Sequence, residues 1–263
     1  MIKVCSLFSG SSGNCIYVSY NDTAILIDAG VSGKRIEAAL ESIGESVDNI
    51  EAIFITHEHS DHISGAGILS RRHNIPIYAN SQTWSAMRSE LGKIKAESIR
   101  YIELGELTTL GDITIKSFPI PHDAVCPVGY NILINGKKLT IATDIGHMNN
   151  ELLSNLEKSE MVLLESNHDV EMLKTGRYPW PLKQRILGDK GHLCNDMAGK
   201  VVAHLAKCGT KKFLLGHLSK ENNFPELAYR TVCNALRDIK INPEKDIYLE
   251  VALRDRASNI LYI

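Results

Sequence analysis

Five apolar runs in this chain each finish on a histidine or an aspartate: "ILID" on Asp28, "IFITH" on His57, "IKSFPIPH" on His122, "LTIATD" on Asp144 and "FLLGH" on His217. Runs of this kind read as buried strands, and binding sites in sheet proteins gather where strand ends meet. A fold built from them has to bring those ends together around polar chemistry. The densest stretch is "THEHSDH", Thr56 to His62, with three of the ten histidines and two carboxylates. Imidazoles packed so closely serve a core badly and repel one another once protonated, whereas they suit a metal. His57 and His59, at i and i+2, can face one side of an extended turn, and Asp61 and His62 follow at the expected start of a helix. With His122, Asp144 and His217 the set becomes five histidines and two aspartates, enough for two ions sharing one carboxylate. Nitrogen and carboxylate donors without thiolate suit zinc, manganese or iron.

Around these residues two patterns alternate. Further strand-like runs include "IKVCSLF", "CIYVSY", "IPIYAN", "YNILIN", "MVLLES" and "DIYLEVA". Helical patterns include "GKRIEAALESIG", "SGAGILSRRH", "SQTWSAMRSELG", "NNELLSNLEKS", "NDMAGKVVAHLAKCG" and "PELAYRTVCNALRDI". The mix predicts sheets with helices packed outside. No repeat, low-complexity segment or linker interrupts it, so one domain over residues 1–263 is expected. A formal net charge of −2 gives no global basic field, so a polyanionic partner requires a local patch. The longest apolar runs are far short of the ~20 residues that span a bilayer, and "MIKVCSLFSGSSGNC" lacks the plan of a signal peptide. The six cysteines form no C-x-x-C pair. A reduced, cytoplasmic protein with no membrane association is the expectation.

The ordered set Asp28, His57-x-His59-x-Asp61-His62, His122, Asp144 and His217 resembles that of the metallo-β-lactamase-fold hydrolases, and the resemblance runs from residue 2 to about 250. It implies an α+β, four-layer αββα sandwich of two mixed sheets flanked by helices. It implies one metal held by His57, His59 and His122, a second by Asp61, His62 and His217, and Asp144 bridging. Asp28 would lie behind the histidine loop rather than on a metal. Two divalent ions in such a pair hold a hydroxide at neutral pH, with Asp61 a candidate to orient it. This chemistry serves esters, thioesters, amides and phosphodiesters alike.

Among the relatives, true β-lactamases are exported and many carry a cysteine where this chain has Asp144, and glyoxalase II has a helical C-terminal domain for which 46 residues after His217 are too few. The stretch from Gly191-His192 through an Ala-rich helix to His217-Leu218-Ser219 resembles ribonuclease Z and places His192 beside the metals as a general acid. The large β-CASP nuclease insertion is missing. "SLFSGSSGNC", "THEHSDHISG", "LLESNHDVEML", "GRYPWPLKQRILGDKGHL" and "LGHLSKENN" together resemble the YycJ/WalJ (VicX) family of bacterial proteins, regarded as metal-dependent 5′-to-3′ DNA exonucleases and associated with DNA repair. The resemblance thus implies a DNA substrate and two divalent cations, zinc or manganese. The rival expectations are a small-molecule hydrolase of the same fold, such as a cyclic phosphodiesterase or thioesterase, and a regulatory protein without catalysis.

Other segments admit a plain and a functional role. The turn "SGSSGN", ending at Asn14, serves as a hairpin loop, and its amides also suit an anion nest near the metals. Asn167 and His168 after "MVLLES" either cap a loop or line a substrate groove. The segment "KTGRYPWPLKQRILGDKGH" carries Lys174, Arg177, Lys183, Arg185 and Lys190 with Tyr178 and Trp180 between them. It is a solvated basic face or a nucleic-acid groove in which cations track phosphates and rings stack on bases. On the second reading Arg177, Lys183 and Arg185 bind substrate. Glu221 and Asn222, close after His217, are expected as hydrogen-bond partners of the ligand histidines.

Overall fold

The computed structural model describes residues 1–263. Two seven-stranded sheets lie face to face. The first runs in the order β14 (Leu261–Tyr262), β1 (Lys3–Phe8), β2 (Cys15–Tyr20), β3 (Thr23–Ile27), β4 (Ile50–Phe54), β5 (Ile77–Ala79), β6 (Ile99–Tyr101). The second runs β13 (Tyr248–Val251), β12 (Lys212–Gly216), β11 (Met161–Glu165), β10 (Lys137–Ala142), β9 (Val128–Ile134), β8 (Ile113–Pro119), β7 (Leu107–Leu110).

Alternation along the central strands explains the layers. A strand points successive side chains to opposite faces. In β3, Ile25 and Ile27 therefore join the core between the sheets, while Ala24 and Leu26 join the core under the helices of the first sheet. In β11, Met161 and Leu163 face inward, and Val162 and Leu164 face the helices of the second sheet. Both faces are covered, so these strands read as continuous apolar runs. Phe54, stacked on Tyr78 at 4.7 Å and edge-on to Tyr130, sits in the middle layer. Helices α1 (Gly33–Ser42), α3 (Ala66–His73) and α4 (Ser81–Leu91) cover the first sheet through Ile36, Leu69 and Trp84. Helices α5 (Asn150–Leu156), α8 (Asn195–Lys207) and α9 (Pro225–Asp238) cover the second through Leu156, Val202 and Val232. This is the expected αββα sandwich. No helix is long and apolar enough to cross a membrane.

The pairing of strands also explains why their ends meet. β3 and β4 are parallel, with Ile27 opposite Phe54, so Asp28 and Thr56 emerge side by side. β10, β11 and β12 are parallel, with Ala142 opposite Leu164 and Glu165 opposite Gly216, so Asp144, Glu165 and His217 leave one edge together. β8 shares their direction, because β8 and β10 are each antiparallel to β9. Asp28, Asp144 and His217 adopt left-handed backbone angles, φ 61°, 61° and 55°. Non-glycine residues avoid this region, and its use clusters at functional sites.

Besides the 3-10 turns at Val47–Asn49 and Ala96–Ser98, six strands and helices lie outside the patterns read from the sequence. β6, β7 and β14 are short edge strands, and α2 (Ser60–Ile63), α6 (Val170–Thr175) and α7 (Trp180–Leu187) are short helices. Of these only the start of α2, at Asp61 and His62, was expected. β6, β7, β14, α2 and α6 are too short for periodicity to register, whereas α7, as long as α3, lay in a segment read by its charge.

Candidate metal centre

The chain places all seven residues of the predicted set at one edge of the sandwich. His57 Nε2 and His59 Nδ1 lie 3.1 Å apart, and His122 completes a trio of nitrogens within 4.8 Å. Zinc–nitrogen bonds at tetrahedral angles would set two ligand nitrogens about 3.3 Å apart, so this spacing fits a cation. Asp61, His62 and His217 form a second trio, with Asp61 Oδ2 3.7 Å from His62 Nε2 and 3.6 Å from His217 Nε2. Asp144 reaches both: Oδ2 is 3.3 Å from His62 Nε2, and Oδ1 is 3.5 Å from His217 Nε2 and 3.7 Å from His122 Nε2.

The far side of four of the five imidazoles is already committed. His57 Nδ1 meets Thr56 Oγ1 at 3.0 Å, His62 Nδ1 meets Asp28 Oδ2 at 2.7 Å, His122 Nδ1 donates to the Gly191 carbonyl at 3.1 Å, and His217 Nδ1 donates to Glu165 Oε1 at 2.9 Å. Every one of these leaves Nε2 turned into the cluster, the arrangement that orients ligand histidines. Asp28 also accepts from the Thr56 amide and hydroxyl, both at 2.8 Å, and so fixes the loop that bears the histidines. The buried atoms Asp144 Oδ2 and His217 Nε2 have no hydrogen-bond partner in the chain. Buried polar atoms are rarely left so, and a divalent cation would satisfy both.

Electrostatics agree with this fit. Burial holds His57 well below its ordinary value, reinforced by the charge of His62, which keeps the imidazole neutral and able to ligate. For His217 burial opposes the charge, but Asp144, Asp61 and Glu165 outweigh it and lift the group to about 10. His62 is raised for the same reason by Asp28, Asp144 and Asp61 against burial. The carboxylates thus draw positive charge strongly to the second trio, and metal binding exchanges such protons for a cation.

His192 stands beside the cluster. Its ring centroid is 5.1 Å from that of His122 and 5.3 Å from that of His217. Its Nδ1 donates to Glu165 Oε1 at 2.8 Å. Glu165 was not among the expected site residues. It is fully buried and accepts four bonds: the two imidazoles on Oε1, and the Ile145 and Leu193 amides on Oε2 at 2.6 and 3.1 Å. Its signal was present, since β11 is one more apolar strand ending in a ligand-type residue, but a glutamate was not counted with histidine and aspartate. Thr56, bridging Asp28 and two histidines, carried no signal at all.

Several expected contacts are placed elsewhere. Glu221 is exposed and touches no ligand. Asn222 is buried, bonds Ser219 and anchors the Asp169 amide, so neither residue supports His217; Glu165 and Ser9, whose hydroxyl accepts from the His217 amide at 2.8 Å, do so instead. Asn14 is buried, with Oδ1 accepting from the Gly10 amide and Nδ2 3.1 Å from His62 Nε2, which turns it toward the cluster rather than a substrate groove. His168 is also buried, and neither ring nitrogen has a hydrogen-bond partner in the chain. Asn167 donates to the His217 carbonyl at 2.9 Å and lines a cavity with His192, Tyr178, Arg185 and Ser219. In the basic segment Arg177 is exposed, but Lys183 is buried with its ammonium on the Lys174 carbonyl at 2.7 Å, and Arg185 pairs with Asp123. Lys183 thus spends one of its three ammonium donors on a carbonyl and is mostly withdrawn from solvent.

A cluster of cation-ready histidines and carboxylates at the open edge of an αββα sandwich defines a metal-dependent hydrolase. The model of the beta-lactamase superfamily domain matches residues 23–218. The chain is 42% identical over 250 residues to exodeoxyribonuclease WalJ of Streptococcus pneumoniae, covering 94% of this chain and 93% of that protein. It is 41% identical over 232 residues to exodeoxyribonuclease YycJ of Bacillus anthracis, covering 88% of each. The chain therefore belongs to the beta-lactamase superfamily and, within it, to the family of these two proteins. Among solved structures, the metallo-beta-lactamase fold protein YhfI of Bacillus subtilis superposes with a TM-score of 0.71 at 15% identity, over 98% of each chain. Human tRNase Z, short form, does so with a TM-score of 0.64 at 18% identity, over 99% of this chain and 100% of that one. These two share its fold.

Proposed function

We propose that this enzyme is a DNA exonuclease that works with two divalent cations, zinc or manganese. The observation that carries the reading is the reach of one carboxylate, Asp144, to two ligand trios in a chain 42% identical to an exodeoxyribonuclease over nearly its whole length. In this reading His57, His59 and His122 hold one cation, Asp61, His62 and His217 the other, and Asp144 both. Cations bound there supply Lewis-acid activation of water and neutralise charge on the phosphoryl group. The family resemblance supports 5′-to-3′ polarity, a role in DNA repair and a cytoplasmic location.

The protein's own groups divide the remaining work. Asp61, whose side chain keeps 24% of its exposure between His62 and His217, accepts a hydrogen bond from the attacking water and orients it. His192 serves the leaving sugar oxygen. Burial works against its charge, but Glu165 and Asp144 outweigh burial and raise its pKa. With Nδ1–H held by Glu165, a proton on Nε2 is free for transfer.

The test is His192→Ala, with metal content and cleavage measured together. Retained metal and DNA cleavage lowered by ~10²–10⁴-fold are expected, with a smaller loss on a diester whose leaving group is a nitrophenolate. Equal losses on both substrates would assign His192 to phosphate binding instead. If the native enzyme cleaves small diesters but no polynucleotide, the exonuclease assignment gives way to a small-molecule hydrolase.

A further inference from the structure

With Lys183 buried and Arg185 paired to Asp123, the helix α7 supplies less phosphate-binding charge than its composition suggests. Lys220 and Arg254 stand on a different wall. The loop after β12 separates two cavities. The first is the one beside His192; the second is lined by Lys220, Phe224 and Arg254. Ser219 lines both, and Ser11 of the first and Ser9 of the second belong to the same Gly/Ser loop. A chain-like ligand leaving the cluster past Ser219 would enter the second cavity directly.

Three features there suit a nucleic-acid strand. Arg254 Nη2 donates to the Leu218 carbonyl at 2.6 Å, while Nη1 is enclosed against Gly10 and has no acceptor. With Nη1 shut off from solvent, Arg254 adds positive charge to this wall without presenting that nitrogen to a ligand. Lys220 is exposed, three residues from His217. Phe224, at the N-cap of α9, keeps 47% of its surface exposed, where burial against a flat apolar partner would be favourable. The nearby acids Glu221 and Asp255 are exposed and outside the cavity lining.

We infer that the second cavity is a strand-binding subsite, holding single-stranded DNA away from the bond being cut, with Lys220 on a backbone phosphate, the charge of Arg254 behind it, and Phe224 stacked on a base. This rests on the exonuclease reading above and adds to it the path of the strand.

The experiment measures fluorescence anisotropy of the metal-loaded enzyme with a cleavage-resistant phosphorothioate single strand of about eight nucleotides, a length within the usual range of such sites. Lys220→Ala removes one phosphate contact, and the slope of log affinity against log salt should fall by ~0.7. Phe224→Leu should weaken binding roughly 5- to 150-fold, the range for loss of one stacked base, and Phe224→Trp should restore it. Thermal melts check folding, and the exposed Lys220 site keeps the test open should the Phe224 variants be unstable. Native affinity and salt slope in both Lys220→Ala and Phe224→Leu, with the native enzyme binding the strand, would overturn the subsite and leave the exonuclease reading intact. A native enzyme that binds no strand at any salt would overturn both.

Discussion

Glu165→Gln tests the least expected part of the site. The carboxylate accepts two imidazole N–H groups on Oε1 and two backbone amides on Oε2. Glutamine is nearly the same size but has one acceptor oxygen, and its NH₂ group donates. Whichever way the amide is turned, two of the four donors face another donor. If its oxygen serves the imidazoles, the amides of Ile145 and Leu193 are orphaned. Each buried, unsatisfied donor costs ~1–3 kcal/mol, so the loss is roughly 2–6 kcal/mol. If its oxygen serves the backbone, His192 and His217 must give up Nδ1–H, and the proton moves to Nε2, the nitrogen that His217 turns toward Asp144 and Asp61. A protonated Nε2 cannot ligate, and losing such an orienting partner typically lowers metal affinity or activity by about 10–100-fold. The two outcomes are separated by urea unfolding of the metal-free protein and by titration with a chromophoric chelator. A variant that unfolds within ~1 kcal/mol of the native protein and also keeps native metal affinity would refute the four-acceptor argument.

Three further perturbations have defined outcomes. Asp144→Ala should abolish turnover and lower metal content measured by mass spectrometry, since its carboxylate reaches both trios; two tightly held ions with near-native turnover would exclude the shared-ligand arrangement. At Gly30 a Cβ would collide with the carbonyl of Asp61, so Gly30→Ala should cost ~1–3 kcal/mol or more by overpacking and displace the histidine loop, visible as a lower melting temperature together with weaker metal binding. Burial holds His168 down at about 4, against ~6.5 in the unfolded chain. Between those values the unfolded state binds more protons. The contribution of roughly 3 kcal/mol is therefore complete above about pH 6.5 and is lost as the pH falls toward 4. His168→Leu should flatten that part of the unfolding profile, and an unchanged slope would show that His168 does not set it.

The cluster at the sheet edge was legible in the chain because its two requirements are local. An apolar run makes a strand, and a histidine or aspartate at its end is a visible break in that run, so Asp28, His57, His122, Asp144 and His217 could be picked out one by one. The helix layers were legible for the same reason, since α1, α8 and α9 carry apolar faces long enough to repeat. What decides the partners of those residues is which strands run parallel and in what register. That depends on contacts between segments far apart in sequence. Parallel pairing of β11 with β12 set Glu165 beside His217, while Glu221 and Asn222, nearer in sequence, turned away. The burial of a charge was likewise invisible to the sequence alone: Lys183 looks free in a basic run, yet the packing of α7 gave it the Lys174 carbonyl, while Arg185 pairs with Asp123 and still lines the cavity beside His192. A cation's freedom to meet a phosphate is a property of its three-dimensional neighbours, and for Lys220 and Arg254 only the folded chain brings them to one cavity.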